Sequence, residues 1–192
     1  MKQITLFLTL LLTLVGCGST QTTSLVRPTL KQSTTPYLAP KLSSKERASW
    51  LAQLNAIRAK GRICQGAGYF PPAPPLRWSH ALYLSAKEHS DDMQKSHTFS
   101  HTGSATKADW TAQRKGLKRG SQFYERILQN GYGGYAYVAE NIEMGSTNAQ
   151  EALTHWLHSS GHCQNIMNPH FSEVGMAQTQ RYWTQVFATP LR

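Results

Sequence analysis

Apolar residues recur at helical spacing through Trp50, Leu51, Leu54 and Ile57, and Gly61 closes the run. Just ahead of it, Ser43-Ser44-Lys45-Glu46 has a capping-box pattern, in which Ser43 and Glu46 satisfy each other's orphan donors. The proline-rich stretch 71–75 predicts a rigid extended crossing. A second helix is predicted from about Ser79, with Leu82, Ala86 and Met93 facing inward. Short helical patterns follow within 106–118 and over 122–129, the latter stopped by Gly131. Residues 135–143 read as a strand, and Asn148-Ala149-Gln150-Glu151 opens another helix through Leu153, Trp156 and Leu157 to Ser159. Val174, Met176, Trp183, Val186 and Phe187 mark two final strands with the spacing of a hairpin. Helices come first and strands cluster late, so the fold class expected is α+β and not a parallel βαβ sheet.

The N-terminus has a different pattern. Lys2 precedes an apolar run over 4–15, which ends in Leu14-Val15-Gly16-Cys17. That run is short for a membrane span and suits the core of a signal peptide. Gly16 admits a peptidase, and Cys17 offers the thiol that is acylated. Residues 1–16 are therefore expected to be a lipoprotein signal peptide. Residues 17–42 become a lipidated N-terminus and tether, rich in Ser, Thr, Gln and Pro with no hydrophobic period. One domain follows over 43–192. Lipid attachment predicts an exported protein held at the cell envelope, since each buried CH₂ contributes about 0.8 kcal/mol. In a Gram-negative host, Gly18 after the cysteine matches an outer-membrane address.

Composition supports this picture. Forty per cent apolar residues and five tryptophans in 192 residues supply a core. Of three cysteines, Cys64 and Cys163 remain once Cys17 is set aside. They are either bridged or two buried thiols, and export favours the bridge, which closes a loop of roughly 100 residues worth up to ~4.7 kcal/mol. The formal charge of +10 points to anionic partners, such as an envelope polymer or lipid. The densest basic stretch, 107–126, carries Arg114, Lys115, Lys118 and Arg119 without an interleaved aromatic array of the nucleic-acid type. It reads as a solvated helix face, and no specific nucleic-acid partner is expected.

Three segments combine His, Glu and small residues: His97-Thr98-Phe99-Ser100-His101-Thr102-Gly103, Ala139-Glu140-Asn141-Ile142, and Ser160-Gly161-His162-Cys163-Gln164-Asn165-Ile166-Met167. Imidazoles and a carboxylate from separate elements suit a divalent metal or a proton-transfer site. Taken singly, each histidine is more often a hydrogen-bonded structural residue than a ligand. A second grouping, His155, His158 and His162, shares a helical face only if Ser159-Ser160-Gly161 leaves the helix unbroken.

The ordered pieces LNAIRAK, PLRW, AKEHSDDM, FSHTG, AENIEMG, HWLHSSGHCQNIM and FSEVGMA, covering about 51–187, strongly resemble bacterial CAP-superfamily (SCP-like extracellular) domains. The resemblance implies a CAP-type α-β-α sandwich, with a small antiparallel sheet between helices. It implies that His101, Glu140 and His162 converge in a cleft as metal or ligand residues, and that Cys64 and Cys163 are bridged. Zn²⁺ or Mg²⁺ would be the ions, and the family's lipid and sterol binding implies an apolar ligand as another occupant. Animal and plant members carry a second cleft glutamate where this chain has Ser159, with His158 or Glu143 as the available substitutes. A basic insertion after Ser104 is expected beside the cleft.

These readings favour a membrane-anchored binding module. The alternative is a hydrolase of peptide, phosphodiester or cell-wall bonds, with His101 or His162 as base and Glu140 as orienting acid. The chain offers no assignable Ser-His-Asp order, no HExxH helix and no free cysteine nucleophile. A third reading makes the cluster a buried network, in which an ionised Glu140–His101 pair would give stability that fades as pH rises.

Overall fold

The computed structural model describes residues 35–191. The signal peptide, Cys17 and the greater part of the tether therefore lie outside the described residues.

The first helix, α1 (Ser44–Arg58), begins at the expected capping box, with Ser43 and Glu46 bonded reciprocally. A short hairpin, β1 (Arg62–Cys64) and β2 (Gly68–Phe70), follows. The extended proline segment then leads to β3 (Arg77–Trp78) and to the longest helix, α2 (His80–Ser96). The insertion supplies α3 (Trp110–Lys115), and α4 (Phe123–Gln129) comes next. An edge strand, β4 (Tyr135–Met144), precedes α5 (Ala149–His158) and α6 (Ser160–Met167). The chain ends in β5 (Glu173–Thr179) and β6 (Tyr182–Pro190), which pair as the expected hairpin.

The main sheet has four strands in the order β3-β5-β6-β4, and β4 lies at one edge. Its long pairings are antiparallel, and the short β3 adds one parallel pair beside β5. Alternation along the strands divides the side chains between two faces. Ala139, Val174, Met176, Trp183 and Phe187 pack with Leu54, Leu153, Trp156 and Ile166 from α1, α5 and α6. Val138, Ala177, Val186 and Ala188 pack with Leu82 and Ala86 of α2 and Ile127 of α4. The result is the α+β sandwich expected.

Close approach on the second side depends on Gly175. A Cβ there would collide with the backbone of Leu82 and Tyr83, so α2 lies directly on β5 only because glycine occupies that position. On the other side, Arg58 is buried despite its charge. Its guanidinium donates to the carbonyls of Pro74 (2.9 Å), Ile166 (2.6 Å) and Asn168 (3.0 Å), tying α1 to the end of α6. Burial lowers its pKa to about 10.

The segment 35–42, which in sequence reads as the end of a featureless tether, is held on the domain. Tyr37 donates its backbone N–H to Asn130 Oδ1 at 2.8 Å and its hydroxyl to Asp91 Oδ2 at 2.8 Å. The Tyr83 hydroxyl donates to Pro40 O, and Ala39 and Leu42 pack against the α2 side. A lone tyrosine in a polar stretch carries no periodic signal of this docking.

Candidate functional site

The site forms where the two faces meet, across the edge strand β4. Successive residues of that strand point to opposite faces, so Glu140 projects toward α2 while Asn141 projects toward α6. His101 lies in the loop after α2, and His162 lies near the start of α6. Their rings stand 6.4 Å apart between centroids, inclined at 54°. His101, Glu140 and His162 thus come together.

Glu140 is buried and its two oxygens are both engaged. Oε2 accepts from Arg126 Nη2 at 2.8 Å, and Oε1 lies 3.1 Å from His101 Nδ1. Burial pushes the carboxyl pKa up, but Arg126, His89 and His101 outweigh it and bring it down to about 2. Glu140 is therefore a fixed carboxylate at neutral pH.

Arg126 is the keystone of the arrangement. The sequence puts it at the end of a solvated basic stretch, yet its side chain is 1% exposed. One guanidinium nitrogen donates to the Ser121 carbonyl at 2.8 Å, and the other donates to the His101 carbonyl at 3.0 Å as well as to Glu140. Helical spacing places Arg126 in α4, but it does not show that the inward face of α4 meets a buried acid. That acid is the physical reason the arginine is inside.

The loop carrying His101 is pinned along its length. His89, buried on α2, lies 2.8 Å from the Ser100 carbonyl through Nε2, which donates. Burial, with Arg126 nearby, lowers the His89 pKa to about 3, so the ring stays neutral. Gly103 N–H donates to Ser121 O at 2.8 Å, and a Cβ at Gly120 would collide with the Gly103 carbonyl. Ser104 N–H donates to Asp92 Oδ2 at 2.8 Å. The insertion thus packs its ends against the His101 loop.

His162 is anchored from its own side. Its carbonyl accepts from Asn141 Nδ2 at 3.3 Å, and Asn165 Nδ2 donates to Asn141 Oδ1 at 2.9 Å. The next residue, Cys163, is bridged to Cys64. Burial, with His101 adding to it, lowers the His162 pKa to about 4. The imidazole is neutral at pH 7, while the His101 side chain is 44% exposed and opens the pair to solvent.

Neither substitute for the glutamate absent at Ser159 serves. Glu143 does not replace the glutamate absent at Ser159: its carboxylate accepts the Ser146 N–H and lies 2.9 Å from His155 Nδ1. His158 turns back instead, with Nδ1 2.8 Å from the Thr154 carbonyl of its own helix. The grouping of His155, His158 and His162 is broken because Ser159 is extended (φ −96°, ψ 126°) between α5 and α6. Ser146, His155 and Glu143 do not form a catalytic triad, because serine and acid both approach the same ring nitrogen.

The residues do not fit a three-ligand divalent centre. Glu140 spends its oxygens on Arg126 and His101, and among the described residues no three ligating side chains are gathered for a metal. What the site offers is a neutral imidazole and a carboxylate-backed one, facing each other at a half-open edge.

Known proteins share this arrangement of the chain. The family model described as "CAP: Cysteine-rich secretory protein family" matches residues 51–187. YkwD of Bacillus subtilis (strain 168) is 29% identical over 116 residues, 59% of this chain and 39% of that protein. The membrane protein YlbC of the same organism is 26% identical over 112 residues, 58% of this chain and 28% of its own length. The chain thus spans well under half of these curated relatives. Among solved structures, an extracellular SCP-domain protein from Bacillus anthracis str. Ames matches with TM-score 0.56 and 23% identity, covering 79% of this chain and 45% of that one. An outer surface protein from Borrelia burgdorferi matches with TM-score 0.58 and 15% identity, covering 80% of this chain and 100% of that one. With its sandwich, its bridge and its paired histidines in the expected places, this chain belongs to the cysteine-rich secretory protein (CAP) family.

Proposed function

We propose that this protein is an exported, lipid-anchored binding module whose His101–His162 pair clasps a polar group of a small ligand or of an envelope polymer. Its fold neighbours are an extracellular protein and an outer surface protein, which supports export. Attachment is assigned to acylation of Cys17, which stands where the apolar run over 4–15 ends; among the described residues no helix is long and apolar enough to cross a membrane.

The observation that carries binding over catalysis is the occupied carboxylate. Glu140, held by Arg126 and His101, orients an imidazole, and its side chain is too deeply buried to present an oxygen to a substrate. His162, with a pKa of about 4, is a weak base at neutral pH, whereas efficient general bases titrate near the working pH. Cys64 and Cys163 are consumed in the bridge, and Ser100 Oγ accepts from Thr102 N–H at 3.1 Å. No activated nucleophile stands beside the pair among the described residues.

The test is calorimetric titration with soluble peptidoglycan fragments and anionic envelope glycans. Binding should fall at least tenfold in His101→Ala/His162→Ala and stay unchanged in His158→Ala. Equal binding by all three proteins would contradict the clasp. Turnover of any fragment, abolished by His162→Ala, would establish the hydrolase alternative. Metabolic labelling with a fatty acid should mark the wild type and spare Cys17→Ser.

A further inference from the structure

Between residues 94 and 123 the chain carries Lys95, Lys107, Arg114, Lys115, Lys118 and Arg119 against a single acid, Asp109. Asp109 is buried and turned inward, accepting from Ala112 and Ser121 N–H. Arg119 pairs with Glu125. The other five cations are exposed, and none forms an ion pair among the described residues. Lys41, Lys45, Arg47, Lys60, Arg62 and Arg181 also lack an ion pair among the described residues. What sets the 94–123 stretch apart is that its cations follow one another with no exposed acid among them.

A second, independent feature falls on the same face. Arg114 Nη2 donates to Thr35 Oγ1 at 3.1 Å. Arg114 also lies over the Trp110 ring, 5.6 Å from its centroid, and Tyr37 meets that ring edge-on at 5.8 Å. Tyr37, Trp110, Lys95 and Lys107 together line a shallow hollow. Amphipathic aromatic rings flanked by lysines and arginine are what a lipid headgroup layer accommodates.

We propose that the face formed by Lys95, Lys107, Trp110 and Arg114 rests on an anionic lipid surface and sets the orientation of the domain at the membrane. It supplies a basic signal separate from acylation, and two signals are what stable attachment takes. This borrows from the anchoring reading only the presence of a membrane.

Vesicle co-sedimentation of residues 18–192 tests it without Cys17. This piece retains residues 35–191, within which every described packing contact and the Cys64–Cys163 bridge lie. Each basic side chain near an anionic surface is worth about a fivefold change in partitioning. Binding to phosphatidylglycerol-containing vesicles should therefore fall about 100-fold in Lys95→Gln/Lys107→Gln/Arg114→Gln. It should weaken as salt rises and be negligible on phosphatidylcholine. Lys45→Gln/Lys60→Gln/Arg62→Gln, with the same net charge, should lose less than threefold. Equal loss in both triple variants would reduce the effect to net charge and overturn the proposal. So would competition by millimolar inorganic phosphate, which would mark a small-anion site, or tighter binding to soluble heparin than to the vesicles, which would mark a polymer. Failure of the Cys17 labelling leaves this measurement unaffected.

Discussion

The two faces of one sheet are built by opposite chemistry. Toward α1, α5 and α6 the packing is mainly apolar, with Trp156, Phe171, Trp183 and Phe187 fully buried and the Cys64–Cys163 bridge alongside, and with Arg58 and the Asn141–Asn165 pair among its buried polar groups. Toward α2 the run Glu88, His89, Ser90, Asp91 and Asp92 is buried in succession, with Arg126 and Glu140 facing it. Apolar contacts are non-directional and hold the fold; buried polar groups tolerate few geometries and fix where side chains stand. The histidine pair straddles the boundary: His162 leans on the stapled side and His101 on the polar side.

The largest effect that would sharpen this contrast is loss of the bridge. Cys64→Ser/Cys163→Ser should lower unfolding free energy by about 4 kcal/mol in urea titrations, given a loop of roughly 100 residues. A loss below about 1 kcal/mol would deny the staple its role. On the polar face, Arg126→Met leaves Glu140 charged and unpaired and should cost about 3–4 kcal/mol. Arg126→Met/Glu140→Leu should recover much of that, and a double variant as unstable as the single would break the comparison.

A smaller loss of about 2 kcal/mol is expected for Gly175→Ala, because the added Cβ meets the α2 backbone and not a movable side chain. The smallest change is with pH. His89 and His162 have lowered folded-state pKa values, so acid favours the unfolded chain, which takes up the protons. Their contribution is complete above pH 6.5 and is lost as pH falls toward about 4 and about 3. Glu88 opposes this: burial raises its pKa to about 7, so its contribution grows as pH falls. The net loss between about pH 7 and 5.5 should be about 1 kcal/mol, with solvent-touched His162 giving less than His89. Glu88→Gln should steepen it.

Much of the fold is readable because the decisive signals are local. The Ser43–Glu46 capping box, the Gly131 stop and the alternation of β5 and β6 each act within a few residues. His101, Glu140 and His162 are found through ordered family motifs, not through periodicity. What stays hidden is long-range. The β1–β2 hairpin is too short to show alternation, and α6 begins at Ser160-Gly161, a pair that reads as a helix breaker. Tyr37 and Arg126 declare their roles only once Asp91 and Glu140, distant in sequence, are brought beside them.

A histidine NMR titration tests whether His101 and His162 stand together at the half-open edge of the sheet. The His162 ring should titrate near pH 4 and move upward in His101→Gln, because removing the neighbouring imidazole removes part of what disfavours its charge. A midpoint at the ordinary histidine value, unchanged by His101→Gln, would contradict that arrangement.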